Sequence, residues 1–116
     1  MKSQSRIAEK LGPLAAMLSE LNTEVYHYWR SAPEGLKSYV VWAEDGEENS
    51  FDADNKKQRQ GIHGTIDLFT KTEFDSLADQ IQEGLNNLEN VSWRLESVQY
   101  EDETMFIHYE WEFWVR

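Results

Sequence analysis

Apolar residues recur at helical offsets near the start of the chain, at Ile7, Leu11, Leu14, Ala15, Leu18 and Leu21, with Lys10, Ser19 and Glu20 left for the other side. This spacing predicts an amphipathic helix within residues 1–22. Gly12-Pro13 interrupts it. Proline lacks a backbone donor and crowds the preceding turn, so the helix either kinks there or begins its main run at Pro13. Val25 to Trp29 and Tyr39 to Ala43 are short, aromatic and β-branched, with turn chemistry at Ser31-Ala32-Pro33-Glu34-Gly35 between them. They read as two strands and a loop. Gln60 to Phe69 alternates, with Ile62, Ile66 and Leu68 against His63, Thr65 and Asp67, the pattern of a strand with one face in the core.

Thr70-Lys71-Thr72-Glu73 fits a capping box, and Phe74, Leu77, Ala78, Ile81 and Leu85 follow at helical offsets. A second helix is therefore expected from this box to about Asn86-Asn87. The remainder predicts a long hairpin. Val91, Trp93 and Leu95 alternate with Ser92, Arg94 and Glu96, the turn falls near Glu101-Asp102-Glu103-Thr104, and the return strand runs from Met105 to Val115. On the return strand, Met105, Ile107, Tyr109, Trp111, Phe113 and Val115 share one side, while Phe106, His108, Glu110, Glu112 and Trp114 share the other. The order α-β-β-β-α-β-β predicts a single α+β domain over residues 1–116, with two helices on one face of a mainly antiparallel sheet of about five strands.

Charge changes this picture in two places. The 116 residues carry 11 Lys or Arg against 22 Asp or Glu, a formal net charge of −11. Such a balance argues against a duplex-DNA reader, which gains affinity by neutralising phosphates with clustered bases. From Glu44 to Asp54 the acids Glu44, Asp45, Glu47, Glu48, Asp52 and Asp54 occur without a base, before Lys56, Lys57 and Arg59. A segment so charged has little to bury, and residues 44–57 are expected to form a mobile acidic loop. With no cysteine in the chain, disulfides, thiolate nucleophiles and cysteine-based metal sites fall away. No signal peptide and no membrane-spanning segment is read, because the N-terminal apolar run is short and flanked by charge.

Candidate chemistry is sparse. His27, His63 and His108 all fall in predicted strands; His63 and Asp67 share a strand side, as do His108 and Glu110. Either pair could serve acid–base work, with Asp67 or Glu110 beside a histidine, but a metal site needs at least three converging ligands. No P-loop, nucleophile elbow, dinucleotide fingerprint or zinc-protease motif is present. Gly61 and Gly64 flank His63 within a strand, where glycine marks a bulge or a close backbone approach. We expect no catalytic residue, no metal and no cofactor. Phe106 and Trp114, bracketing His108, Glu110 and Glu112 on the side away from the core, make those five residues a candidate assembly interface.

Four stretches carry a resemblance: Tyr39-Val40-Val41-Trp42-Ala43-Glu44-Asp45-Gly46-Glu47, Gly64-Thr65-Ile66-Asp67-Leu68-Phe69-Thr70-Lys71-Thr72-Glu73-Phe74-Asp75, Ser92-Trp93-Arg94-Leu95 and His108-Tyr109-Glu110-Trp111. In order and wording they resemble the small tail-terminator, or tail-completion, proteins encoded among siphophage and prophage head–tail genes, over roughly Thr23 to Val115. The resemblance implies a structural virion protein of similar α+β fold, assembled in a bacterial host cytoplasm. Such a protein caps the tail tube as a self-associated six-membered ring, ends its polymerisation and offers a joining surface to the head connector. The partners implied are other copies of the chain, the tail tube protein and the connector protein. DNA would pass through without specific binding, and no membrane is involved. Glu44, Asp45, Glu47, Glu48, Asp52 and Asp54 then become a candidate channel or docking loop, since a DNA channel should repel phosphate. The same acidity suits a rival from another class, a DNA-mimic inhibitor that offers carboxylates to a DNA-binding enzyme.

Overall fold

The alternation along the strands decides which residues face the helices, and the helices form where their apolar stripes can cover that face. A computed structural model describes residues 5–28, 34–48 and 60–116. The elements run α1 (Arg6–Ser19), β1 (Glu24–His27), β2 (Ser38–Glu48), β3 (Gly61–Thr70), α2 (Ser76–Asn86), β4 (Val91–Glu101) and β5 (Phe106–Val115). The five strands form one sheet in the order β1-β2-β3-β5-β4, with β1 and β2 parallel and every other neighbouring pair antiparallel. This is the α+β order that the sequence predicts.

α1 starts at a serine cap: the Ser5 hydroxyl oxygen accepts from the Ile7 and Ala8 N–H groups at 3.1 and 3.3 Å. The helix then continues through Pro13 without a second start. Gly12 and Pro13 both face water, where solvent can serve the carbonyl that proline leaves unpaired. Leu11, Leu14 and Leu18 reach the core beside Leu77, Ala78, Ile81 and Leu85 of α2. Both sets cover Val40, Trp42, Ile62, Ile66, Leu68, Trp111, Phe113 and Val115 of the sheet. Two indole donors tie α2 down, Trp111 Nε1–H to Gln82 Oε1 at 3.0 Å and Trp93 Nε1–H to Asn86 Oδ1 at 2.9 Å. Gly64 is a close approach: a Cβ there would overlap the Ala43 carbonyl oxygen and the Phe113 ring.

Three expectations are corrected. First, Thr70 does not cap α2. It closes β3, paired with Ser38 and Ile107, so its backbone is committed to the sheet. Its hydroxyl instead donates to Asp75 Oδ2 at 2.6 Å, and Asp75 caps the helix by accepting from Leu77 N–H at 2.9 Å. Phe74 therefore precedes the helix and is exposed, in a left-handed conformation at φ +54°. Second, Glu44 to Glu48 do not begin a loop. They extend β2, because pairing with Gly64 to Gly61 of β3 outweighs their poor strand propensity, with a bulge between Glu44 and Gly46. Residues 49–57 of the expected loop, Asp52 and Asp54 among them, lie outside the described residues, as do Trp29 and Ser31 to Pro33. Third, Met105 does not open the return strand but precedes it, exposed and at φ +64°; on β4 the alternation from Val91 holds as far as a bulge between Leu95 and Ser97, which shifts the phase beyond it. Val98 and Tyr100 consequently pair with Tyr109 and Ile107 on the side that Leu95 shares with Trp111, and all three are exposed.

Candidate functional site

Because β3 alternates strictly between buried and half-buried positions, its register identifies the rows of the face opposite the helices. Asp67 of β3 pairs with Val41 and Glu110, and Glu110 with Ser97; Thr65 pairs with Ala43 and Glu112, and Glu112 with Arg94. The outer rows place His63 beside Trp114, and Phe69 beside His108. No described element covers this face. The five candidate interface residues Phe106, His108, Glu110, Glu112 and Trp114 all lie on it, each half-buried.

Carboxylates dominate here, and the histidines sit between them. His108 Nε2 lies 2.7 Å from Asp67 Oδ1 and its Nδ1 lies 3.3 Å from Glu101 Oε2. The hydrogen bond to Asp67 raises the His108 pKa above its ordinary value against the opposing effect of burial. Burial, and then the neighbouring Asp67 charge, raise the Glu110 carboxyl. His63 Nδ1 lies 2.5 Å from Asp45 Oδ1 and its Nε2 lies 3.6 Å from Glu112 Oε2. The Arg94 guanidinium meets Glu112 at 2.9 Å and Glu96 at 3.0 Å. The sequence placed His108 with Glu110 and His63 with Asp67; folding instead puts Asp67 against His108, across two strands.

At one end of the face the rings form a cluster. Phe69 stacks on Tyr39 at 4.6 Å and on His108 at 4.2 Å between centroids, and Phe106 stands edge-on to Tyr39 at 5.5 Å. The Lys71 ammonium lies 5.0 Å from the Phe106 ring centre, close enough for cation–π attraction. At the other end Trp114 meets His63 edge-on at 5.4 Å. Neighbouring rings thus shelter Phe106 and Trp114, and the exposed large apolar side chains are elsewhere.

The acidic stretch is divided by the strand it belongs to. Asp45, at the bulge, turns to the open face and His63, whereas Glu44 pairs with Gly64 on the helix side. There Glu44 accepts from the Tyr28 hydroxyl and lies 2.8 Å from His27 Nε2. Burial pushes the Glu44 carboxyl up, but these two hydrogen bonds, together with a backbone hydrogen bond and the His27 charge, offset it and hold its pKa below the ordinary value. His27 is stacked between Tyr28 and Trp42, 3.9 Å from each ring centre. This group lines a groove of about 340 Å³ together with Ile7, Ala8, Leu11 and Ala15 of α1. Glu47 pairs with Ile62, and Glu48 ends the strand opposite Gly61. Described members of the candidate channel loop therefore do not share one surface. Sequence reasoning missed the Tyr28–Glu44 contact, whose only signal was two polar aromatics next to a strand edge.

Among the described residues no group of three or more histidine, aspartate or glutamate side chains could hold a metal ion, and no helix is long and apolar enough to cross a membrane. Compared with known proteins, the chain matches no family model, and no curated protein matches it significantly.

Proposed function

We propose that this chain is a structural subunit of a phage tail, a terminator that closes into a ring on the tail tube, ends its growth and joins it to the head. The observation that carries this reading is the open sheet face, where Asp45, Asp67, Glu96, Glu101, Glu110 and Glu112 outnumber the cations Arg94 and Lys71 among the described residues. A wall of this kind repels phosphate along its length, as a passage for DNA requires. It is also rigid, since each row is fixed by strand pairing on both sides. The role follows the resemblance of four stretches of the sequence to tail terminators, which implies copies of this chain, the tube protein and the connector as its partners. Solution mass measured across concentration, with negative-stain imaging after mixing with tail tubes, tests the proposal. A closed ring or capped tubes support it, whereas a protein that stays monomeric and leaves tubes uncapped overturns it.

The same face supports a second reading, mimicry of DNA, because its carboxylates lie on one sheet surface of a single chain. The two separate cleanly. A mimic inhibits a basic DNA-binding enzyme stoichiometrically as a monomer or dimer, and loses that inhibition when Asp67, Glu110 and Glu112 become amides. A terminator with the same changes still caps tubes, and DNA passage suffers most at low salt, where screening is weakest.

A further inference from the structure

Left-handed backbone suits glycine and asparagine, and the chain uses both in that way, Gly35 at φ +88° and Asn90 at φ +64°. Phe74 at φ +54° and Met105 at φ +64° adopt the same conformation with bulky side chains, at a steric cost. Both are also turned to water, Phe74 88% exposed and Met105 60% exposed. Neither core packing nor backbone geometry accounts for an apolar residue at either position.

Register brings the two to one end of the sheet. Thr70, which closes β3, pairs with Ile107, and Ile107 pairs in turn with Tyr100 of β4. Phe74 follows Thr70 by four residues, and Met105 precedes Ile107 by two. Tyr100 at 58% exposure and Val98 at 49% continue the apolar surface along β4. Acids rim it: Glu73 next to Phe74, and Asp102 and Glu103 in the hairpin turn beside Met105. Lys71 is at this end too, but its ammonium lies over the Phe106 ring on the open face.

We infer that Phe74, Val98, Tyr100 and Met105 form a docking surface for a different protein, one that offers an apolar recess bordered by lysine or arginine. The acid rim decides the occupant. Two copies meeting through this end would bring their acidic turns together, and a chain of net charge −11 is a poor counterpart for such a rim, whereas a basic-rimmed partner gains attraction as the apolar residues are buried. The inference goes beyond the ring reading and holds for a lone subunit as well as for a ring.

The test is a titration of the isotope-labelled full chain with an amphipathic leucine–lysine helical peptide, followed by amide chemical shifts. The wild type is compared with a Phe74→Asn/Met105→Asn variant and with an Asp67→Asn/Glu110→Gln variant. Shifts concentrated at residues 72–75 and 98–106 are expected. The first variant should weaken binding about tenfold with its melting temperature unchanged or raised, because asparagine fits the left-handed backbone, and the second should bind like the wild type. Shifts centred on the open face, or equal affinity in the first variant, would overturn the inference. So would a lower melting temperature in that variant, which would mean that the two residues serve the fold. Concentration-dependent shifts of the same amides without peptide would overturn it too, by making a second copy the occupant.

Discussion

The two faces of this sheet are built from alternate residues of the same strands, yet they do different physical work. On the helix-covered face Trp111, Phe113, Ile66 and Leu68 are fully buried, and their packing with α1 and α2 supplies the hydrophobic stabilisation of the domain. On the other face their neighbours Glu110, Glu112, Thr65 and Asp67 are half-buried and joined by short contacts between carboxylates, histidines and Arg94. Pairs so close to water contribute little to stability. One face therefore holds the fold, which leaves the other free to be selected for charge.

The sharpest way to break this contrast is to truncate one tryptophan from each face of β5. Trp111→Ala should cost about 3–5 kcal/mol, and Trp114→Ala about 1 kcal/mol, in urea denaturation. Equal losses would mean that the open face is a second core. Gly64→Ala comes next, since its methyl would overlap the Ala43 carbonyl oxygen and the Phe113 ring; a loss of about 1–3 kcal/mol is expected, with Gly46→Ala, where a Cβ has open space, as the mild control. Smaller and opposite in sign is Phe74→Asn, which relieves a left-handed phenylalanine and should leave stability unchanged or raise it by up to about 1 kcal/mol, roughly 4 °C in Tm.

The smallest effect is a pH dependence that belongs to the open face. The folded chain holds the His108 proton more tightly than the unfolded chain does, through the bond to Asp67. The resulting stabilisation is complete below the ordinary histidine value of 6.5 and is lost as pH rises through the raised value. Glu110 acts in the same direction lower on the scale, its raised carboxyl costing stability once pH passes the ordinary 4.5. His108→Gln should therefore be less stable than wild type at about pH 6, with the gap closing as pH rises. Glu110→Gln should be more stable than wild type at neutral pH and lose that advantage in acid. Denaturation midpoints across pH check both, and a wild-type stability that rises with pH through these values would contradict the assignment.

Periodicity alone made most of the covered face legible. Leu11, Leu14 and Leu18, the β3 alternation and the Trp111–Phe113–Val115 stripe lie where their spacing predicts, because burial on one side imposes a period that nothing else in the sequence imitates. What escaped has local causes. The bulge between Leu95 and Ser97 shifts the phase of β4, and no residue in that stretch announces it. The capping box at Thr70 failed because strand pairing claimed the threonine first, and an aspartate five residues on took over the cap. The acidic run from Glu44 reads as loop by composition, yet the partner strand β3 was available to pair it as far as Glu48. At the site, the sequence put Phe106, His108, Glu110, Glu112 and Trp114 on one face, but Asp67 reaches His108 only through the β3–β5 register, which no single strand encodes.

Whether this chain closes into a ring on a tail tube, and which face it turns inward, is read most directly by cryo-electron microscopy of tail tubes mixed with it. A terminator ring should show a lumen walled by the open sheet face, with the Asp67–Glu110 row turned to the axis and both helices outside it. A ring whose lumen is lined by α1 or α2, or one in which the Asp67–Glu110 row is buried between subunits, would contradict it.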